Sequence, residues 1–316
     1  MELWQLRQMQ SLPLEAKVIK SQKVIREFYD YHEGQVYKGV SGGLDSQVMR
    51  HLVASVCPNV PCASIVEVEC SENRKILANI ENLIKIKPRM NQKEVITQFG
   101  YPVISKAVAK KIRTLQNPTP KNSVSRMLYK YGVDKKGTYS KMWQLPNKWT
   151  KLAKSEFRIS DKCCYYLKEE PLHRFQHETG LHAYVGLLAS DSDRREKSYL
   201  KRGGCNSFTK SGYSTPLGFW TRQDVLRYTL ENNIQISKAY GEIIAVNGQL
   251  QTTKANRTGC EICAFGIHLE SEPNRFQRMK LDKPKLWDFA INQMGYGKLL
   301  DFLSVPYGRD RGLFDD

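Results

Sequence analysis

The stretch Ser41-Gly42-Gly43-Leu44-Asp45-Ser46 lies between a strand-like run, Val36-Tyr37-Lys38-Gly39-Val40, and a helix-like one, Gln47 to Val56. A glycine pair in that setting lets the backbone turn tightly and point N–H groups into a concavity, and the start of the next helix adds a positive dipole end that favours anions. Ser41 and Ser46 add hydroxyl donors, and Asp45 is placed to hold a Mg²⁺ that bridges phosphates. The stretch is therefore a candidate phosphate-binding loop. It is not a Walker A sequence, because no Gly-Lys-Ser/Thr follows at the required spacing.

Working outward, the spacing predicts a helix from Leu14 to Tyr31, with Val18, Ile19, Val24, Ile25 and Phe28 on one side. Pro61 to Val68 and Leu83 to Ile86 read as the second and third strands, and His182 to Leu188 as another buried strand. Leu77 to Leu83, Lys93 to Phe99 and Thr221 to Asn232 read as helices, the last with Thr221 as cap and Val225, Leu226 and Leu230 inward. Such alternation predicts a parallel α/β sheet, in which ligands bind beyond the carboxyl ends of the strands. Pro284 to Leu303 reads as a closing helical cap anchored by Leu286, Phe289, Ile291 and Leu299.

The 316 residues carry a formal charge of +17, which points to a polyanionic partner. Between Lys106 and Lys162 there are fifteen Lys/Arg against three acids, a net of +12, so most of the excess lies in this stretch. Tyr129, Tyr131, Tyr139, Trp143, Trp149 and Phe157 are interleaved with those bases. The pattern suits a nucleic-acid-binding insertion, with a solvated basic face over buried aromatic anchors as the alternative. The expected segments are thus 1–105, the N-terminal helix and loop half of the core; 106–162, the basic insertion; 163–240, the second half of the core; and 241–316, the later cysteines and the cap. No signal-peptide core or long apolar run occurs, so a cytoplasmic location with reduced cysteines is expected.

Cys163-Cys164 and Cys260-x-x-Cys263 form a second constellation. Four thiolates complete either a zinc site or a [4Fe–4S] cluster. The vicinal pair suits neighbouring irons of a cubane better than one tetrahedral zinc, and a disulfide switch is less suited to a reducing compartment.

With these residues in view, the chain resembles known families. Ser41 to Ser46 resembles the SGGxDS loop of the PP-loop enzymes, the N-type ATP pyrophosphatases that split ATP between its α and β phosphates. Cys163 to Leu172 resembles the CC-x₃-K-x-x-PL segment of the sulfonucleotide (phosphoadenosine phosphosulfate) reductases, and Thr258 to Cys263 resembles their later GC-x-x-C. Val185 to Arg195 is similar to their strand and substrate loop, and Pro216 to Val225 to their PL-x-x-W-x-x-x-DV helix start. The resemblance spans about Val36 to Gly266. It implies an adenine nucleotide alpha-hydrolase-like, Rossmann-like parallel sheet and a [4Fe–4S] cluster on Cys163, Cys164, Cys260 and Cys263.

One departure bears on function. Those reductases attack sulfur with a cysteine in a C-terminal ECGLH-type motif, whereas the last cysteine here is Cys263 and Val305 to Asp316 carries no thiol; Cys70 and Cys205 are the possible stand-ins. A cluster pattern with no terminal cysteine is similar to the ATP pyrophosphatase component of DNA phosphorothioation systems. That resemblance implies ATP on Ser41, Gly42, Gly43, Leu44, Asp45 and Ser46, with Mg²⁺ on Asp45. Asp45, Ser46, Arg194 and Arg195 are the candidate catalytic residues, the arginines neutralising phosphate charge. The expected partners are a nucleic acid, DNA before transfer RNA, and a sulfur donor such as a cysteine desulfurase acting through the cluster. The alternatives are a sulfonucleotide reductase and a non-catalytic nucleic-acid-binding module.

Overall fold

The structure is a computed structural model, and it describes residues 1–209 and 211–308. The chain divides into two compact units, residues 1–88 with 170–261, and residues 89–169 with 262–316. Residues 309–316, part of the thiol-free C-terminal stretch, lie outside the described residues.

The first unit is built on a five-stranded parallel sheet. Its strands are β1 (Val36–Gly39), β2 (Cys62–Ser64), β3 (Ile84–Lys85), β5 (His182–Val185) and β6 (Tyr213–Ser214), in the order β3-β2-β1-β5-β6. Lys38 registers with Cys62 on one side and with Tyr184 on the other. The predicted α/β class with a Rossmann-like parallel sheet is therefore observed. Strand order runs outward in opposite directions from β1 and β5, so the loop after β1 lies at the topological switch point, where such sheets bind ligands. The N-terminal helix spans Leu14–Tyr31 as predicted. Ile25 and Phe28 are fully buried, but Ile19 faces solvent, because it falls off the stripe they define. The first-unit core also takes in Val48, Met49, Leu52 and Val53 from the helix Leu44–Val56, and Phe219 and Trp220.

Several boundaries differ from the sequence reading. The second strand is only Cys62–Ser64, and Val66–Val68 forms a single 3₁₀ turn, since alternating acids break the apolar run there. The helix placed at Leu77 to Leu83 instead runs Ser71–Ala78, and Leu77 is one of its buried residues. In the helix Arg222–Glu231, Thr221 caps the amide of Asp224 and Val225 and Leu226 are buried, but Leu230 is exposed. A hairpin of β7 (Ile243–Val246) and β8 (Gln249–Thr252) turns at Asn247-Gly248, both with positive φ, as a two-residue hairpin turn requires.

The second unit is mainly helical around a two-stranded parallel pair, β4 (Val103–Ile104) and β9 (Ala264–Phe265). Its core joins Ile112, Leu152 and Ile159 to Phe276, Ile291, Tyr296 and Leu299. The predicted cap resolves into Pro284–Asp288, a π-helical turn Phe289–Gln293, and Tyr296–Phe302. Among the described residues, no helix is long and apolar enough to cross a membrane.

A buried ion pair fixes the helix that later contributes to the site. Lys17, 2% exposed, donates from Nζ to Asp224 Oδ2 at 2.7 Å and to the Gln10 carbonyl at 2.7 Å. Asp224 also accepts from the Thr221 amide and hydroxyl. Lys17→Met strands the part-buried Asp224 carboxylate and is expected to destabilise the protein by about 3 kcal/mol, measured as a lower urea midpoint.

Candidate functional site

In the first unit, the loop after β1 is shaped by close backbone contacts. Gly42 has φ +71°, and a Cβ there would meet the Asn73 carbonyl oxygen at 2.5 Å. Gly186, just past β5, has the same constraint against the helix start: a Cβ would lie 2.6 Å from the Asp45 carbonyl oxygen and 2.9 Å from the Ser46 nitrogen. Both positions require glycine. Ser46 Oγ donates to the Gly43 carbonyl at 2.7 Å and accepts from the Ser41 amide at 3.2 Å, so Ser46 closes the loop upon itself. The 13-residue helix Leu44–Val56 begins here and aims its positive dipole end at the loop.

A second layer of polar groups holds the loop. Leu44 N donates to the hydroxyl of buried Tyr240 at 3.1 Å, and that hydroxyl lies 3.1 Å from Thr258 Oγ1. Asn73, fully buried, donates to the Ser41 carbonyl at 3.1 Å and to Thr258 Oγ1 at 3.0 Å. Its Oδ1 is buried with no hydrogen-bond partner, as is Ser64 Oγ at the end of β2. Orphaned polar atoms of this kind, beside a glycine loop and a helix start, fit a polar ligand such as a nucleotide.

The charges are concentrated around two carboxylates. Asp45 Oδ1 accepts from Arg222 Nη1 at 3.0 Å, and Arg222 also donates to the Asn256 carbonyl. Burial pushes the Asp45 carboxyl up from its ordinary range, and Arg222, Arg195 and Arg257 oppose that shift. Arg195 and Arg257 both pair with Asp191, Arg257 at 2.7 Å. Burial and the Arg257 guanidinium push Arg195 down.

Of the residues chosen from sequence, Ser41 to Ser46 and Arg195 are gathered here, while Arg194 is an exposed residue of the same helix, Asp193–Arg202. Arg222, Arg257, Asn73 and Tyr240 were missed. Arg222 carried one usable signal, its place as first residue of a helix capped by Thr221.

None of the eight cysteines, all among the described residues, is in a disulfide. In the second unit, Cys163 and Cys164 share one helical turn, Lys162–Cys164, which continues as a π-helical turn through Glu169. Arg275 donates to the Cys263 carbonyl at 2.7 Å. Burial pushes the Cys263 thiol up and the Cys164 sulfur adds to this, while Arg275 and Lys168 oppose it. Lys106 pairs with Glu169 at 3.2 Å and hydrogen-bonds Cys164. Cys164 with Lys106, and Cys263 with Arg275 and Lys168, suit an anionic iron–sulfur group in donor type. Among the described residues, however, no three His, Cys, Asp or Glu side chains are gathered as around a metal ion. Cys260 belongs to the first unit.

The raised Asp45 pKa has a defined sign. Below the unfolded carboxylate pKa the group is protonated in both states; as pH rises through the higher folded value, stability is lost. Asp45→Asn is therefore expected to melt at a higher temperature than the parent at pH 7, with the gap closing as pH falls towards about 4. Thermal melts across that range measure it.

The model of the phosphoadenosine phosphosulfate reductase domain family matches residues 35–264. Among solved structures, the chain is similar to the phosphate complex of phosphoadenylyl-sulfate (PAPS) reductase from Candida auris, with 14% identity over 75% of this chain and 90% of that chain and a TM-score of 0.39. No curated protein matches. With well over half of its length inside the family model, the chain belongs to the phosphoadenosine phosphosulfate reductase domain family, the sulfonucleotide reductase-like branch of the PP-loop superfamily.

Proposed function

We propose that the chain is an adenylating ATP pyrophosphatase that activates an oxygen of a nucleic acid for replacement by sulfur. The observation that carries this reading over thiol-based reduction is the state of the cysteines outside the quartet. Cys57, Cys62, Cys70 and Cys205 are all buried, and burial pushes each thiol up. Cys205 is raised to about 11, with its sulfur 3.2 Å from the Tyr199 hydroxyl. Cys70 and Cys205, the candidate nucleophiles, are thus poor thiolates.

The loop chemistry suits the alternative. A triphosphate laid on Ser41 to Ser46 meets the helix start, and Arg222, Arg195 and Arg257 are within electrostatic reach of Asp45. Attack of a nucleic-acid oxygen on the α phosphorus breaks the bond to the bridging oxygen and expels pyrophosphate, whose charge the arginines offset. The attacking oxygen then carries AMP, a good leaving group that a partner-supplied sulfur nucleophile displaces. Mg²⁺ on Asp45 would screen the phosphates. Cys163, Cys164 and Cys263 of the second unit are thiolates of the type that would hold an iron–sulfur group, whose chemistry would be electron transfer or sulfur relay.

The family match itself favours a second reading, reduction of an activated sulfate. One experiment separates the two. Anaerobically purified protein is given Mg-ATP with single-stranded DNA, duplex DNA or transfer RNA, and separately phosphoadenylyl sulfate with a dithiol reductant. Pyrophosphate release that depends on nucleic acid, lost by about 100-fold or more in Asp45→Ala, supports adenylation; sulfite without pyrophosphate overturns it. On the same samples, roughly four iron per chain with absorption near about 400 nm is expected, and stoichiometric zinc sinks the cluster assignment.

A further inference from the structure

The second unit carries an outward-facing apolar stripe in its most basic segment. On the helix Ser123–Tyr131, Val124, Met127 and Tyr131 recur at helical spacing, and none of the nine residues is buried. Met127 is 51% and Tyr131 50% exposed, and beyond the helix Tyr139 is 60% and Met142 80% exposed. Amphipathic helices ordinarily turn such a stripe inward. Here it faces solvent.

The segment's geometry holds Tyr139 against the end of the helix. Gly132 ends the helix in the left-handed region, Val133 bridges Tyr139, and the Asp134 carboxylate accepts from the Lys136 and Thr138 amides to close the turn. Tyr139 rests against Gly132, where a Cβ would lie 2.9 Å from its ring. The Tyr139 ring is thereby held beside the residue that follows Tyr131. Lys130 Nζ lies 5.0 Å from the Tyr131 ring centroid, within cation–π range.

Charge selects the occupant. Residues 121–148 hold seven Lys/Arg against Asp134 alone, and Asp134 is committed to its own turn. Exposed rings and thioethers among unopposed cations match a chain of phosphates whose bases are free to stack. A duplex keeps its bases stacked inside and offers these rings nothing. We infer that Tyr131 and Tyr139, with Met127 and Met142, form a stacking platform for single-stranded nucleic acid. The inference takes from the proposed function only that the substrate is a nucleic acid.

Fluorescence anisotropy of the full chain without ATP tests it, using labelled oligothymidylate and oligouridylate of about 16 nucleotides and a duplex of equal length. Either single strand is expected to bind at least about 10-fold more tightly than the duplex, with log K falling by about 0.7 per log salt for each phosphate contacted. Tyr131→Ala and Tyr139→Ala should each weaken single-strand binding about 5-fold or more, and the Phe variants should retain it. Met142→Glu, at a position too exposed to affect folding, should weaken it similarly. Equal or tighter duplex binding overturns the platform, as does unchanged binding by the Ala and Glu variants, which would mean a purely electrostatic face. Wild-type self-association abolished by the same substitutions overturns it too. Because no ATP is present, a negative pyrophosphate assay leaves this result standing, and failure here leaves the adenylation reading to its own test.

Discussion

The close approach of two backbones at the switch point governs the first unit. Residue 186 must leave room for the Asp45 carbonyl, and residue 42 must leave room for Asn73, so no side chain larger than hydrogen fits either place. With both gaps closed, the helix Leu44–Val56 starts directly at the ends of β1 and β5, and its dipole is aimed where a phosphate would sit. The loop needs no flexibility to form the site. Ser46 ties it internally, and Asn73 and Tyr240 tie it from outside.

That same placement half-buries Asp45, which explains the arginines. A carboxylate pushed towards protonation by desolvation becomes useful as an anion only when positive charge is supplied, and three guanidiniums from separate segments supply it. Two of them also share Asp191, so the cluster is held by two carboxylates. An arriving polyphosphate offers the arginines better acceptors than either carboxylate, and bidentate guanidinium geometry suits the exchange. Asp45 would then be freed to take a cation of its own.

Much of this was legible in the sequence and some of it was not, for identifiable reasons. The glycine loop and the long N-terminal helix are local patterns, so their residues declare them: Leu14–Tyr31 matched to the residue. Short strands leave weaker marks, and Pro61 to Val68 read as one strand because Ile65, Val66 and Val68 carry an apolar composition past its end at Ser64. Arg195 stood out within a dense basic cluster next to the loop motif. Arg222 and Arg257 did not, because their role depends on the Asp45 and Asp191 carboxylates, which lie tens to more than a hundred residues away in the chain. Asn73 was hidden likewise, since its function is a backbone contact made possible by the glycine opposite.

The basic stretch from Lys106 to Lys162 is the case where composition alone misleads in both directions. Its aromatics are neither all anchors nor all exposed: Trp149 and Phe157 pack on the second-unit core, while Tyr131 and Tyr139 stand in solvent. The difference comes from the helices that carry the charge. Lys106–Gln116 turns Ala109 and Ile112 inward and its lysines outward, as a surface helix should. Ser123–Tyr131 has an equally regular apolar face, but that face looks away from the core. Exposed apolar surface is tolerated when scattered; ordered along one helical face, continued by a neighbouring ring and surrounded by like charges, it is better explained by a partner that is both aromatic and anionic.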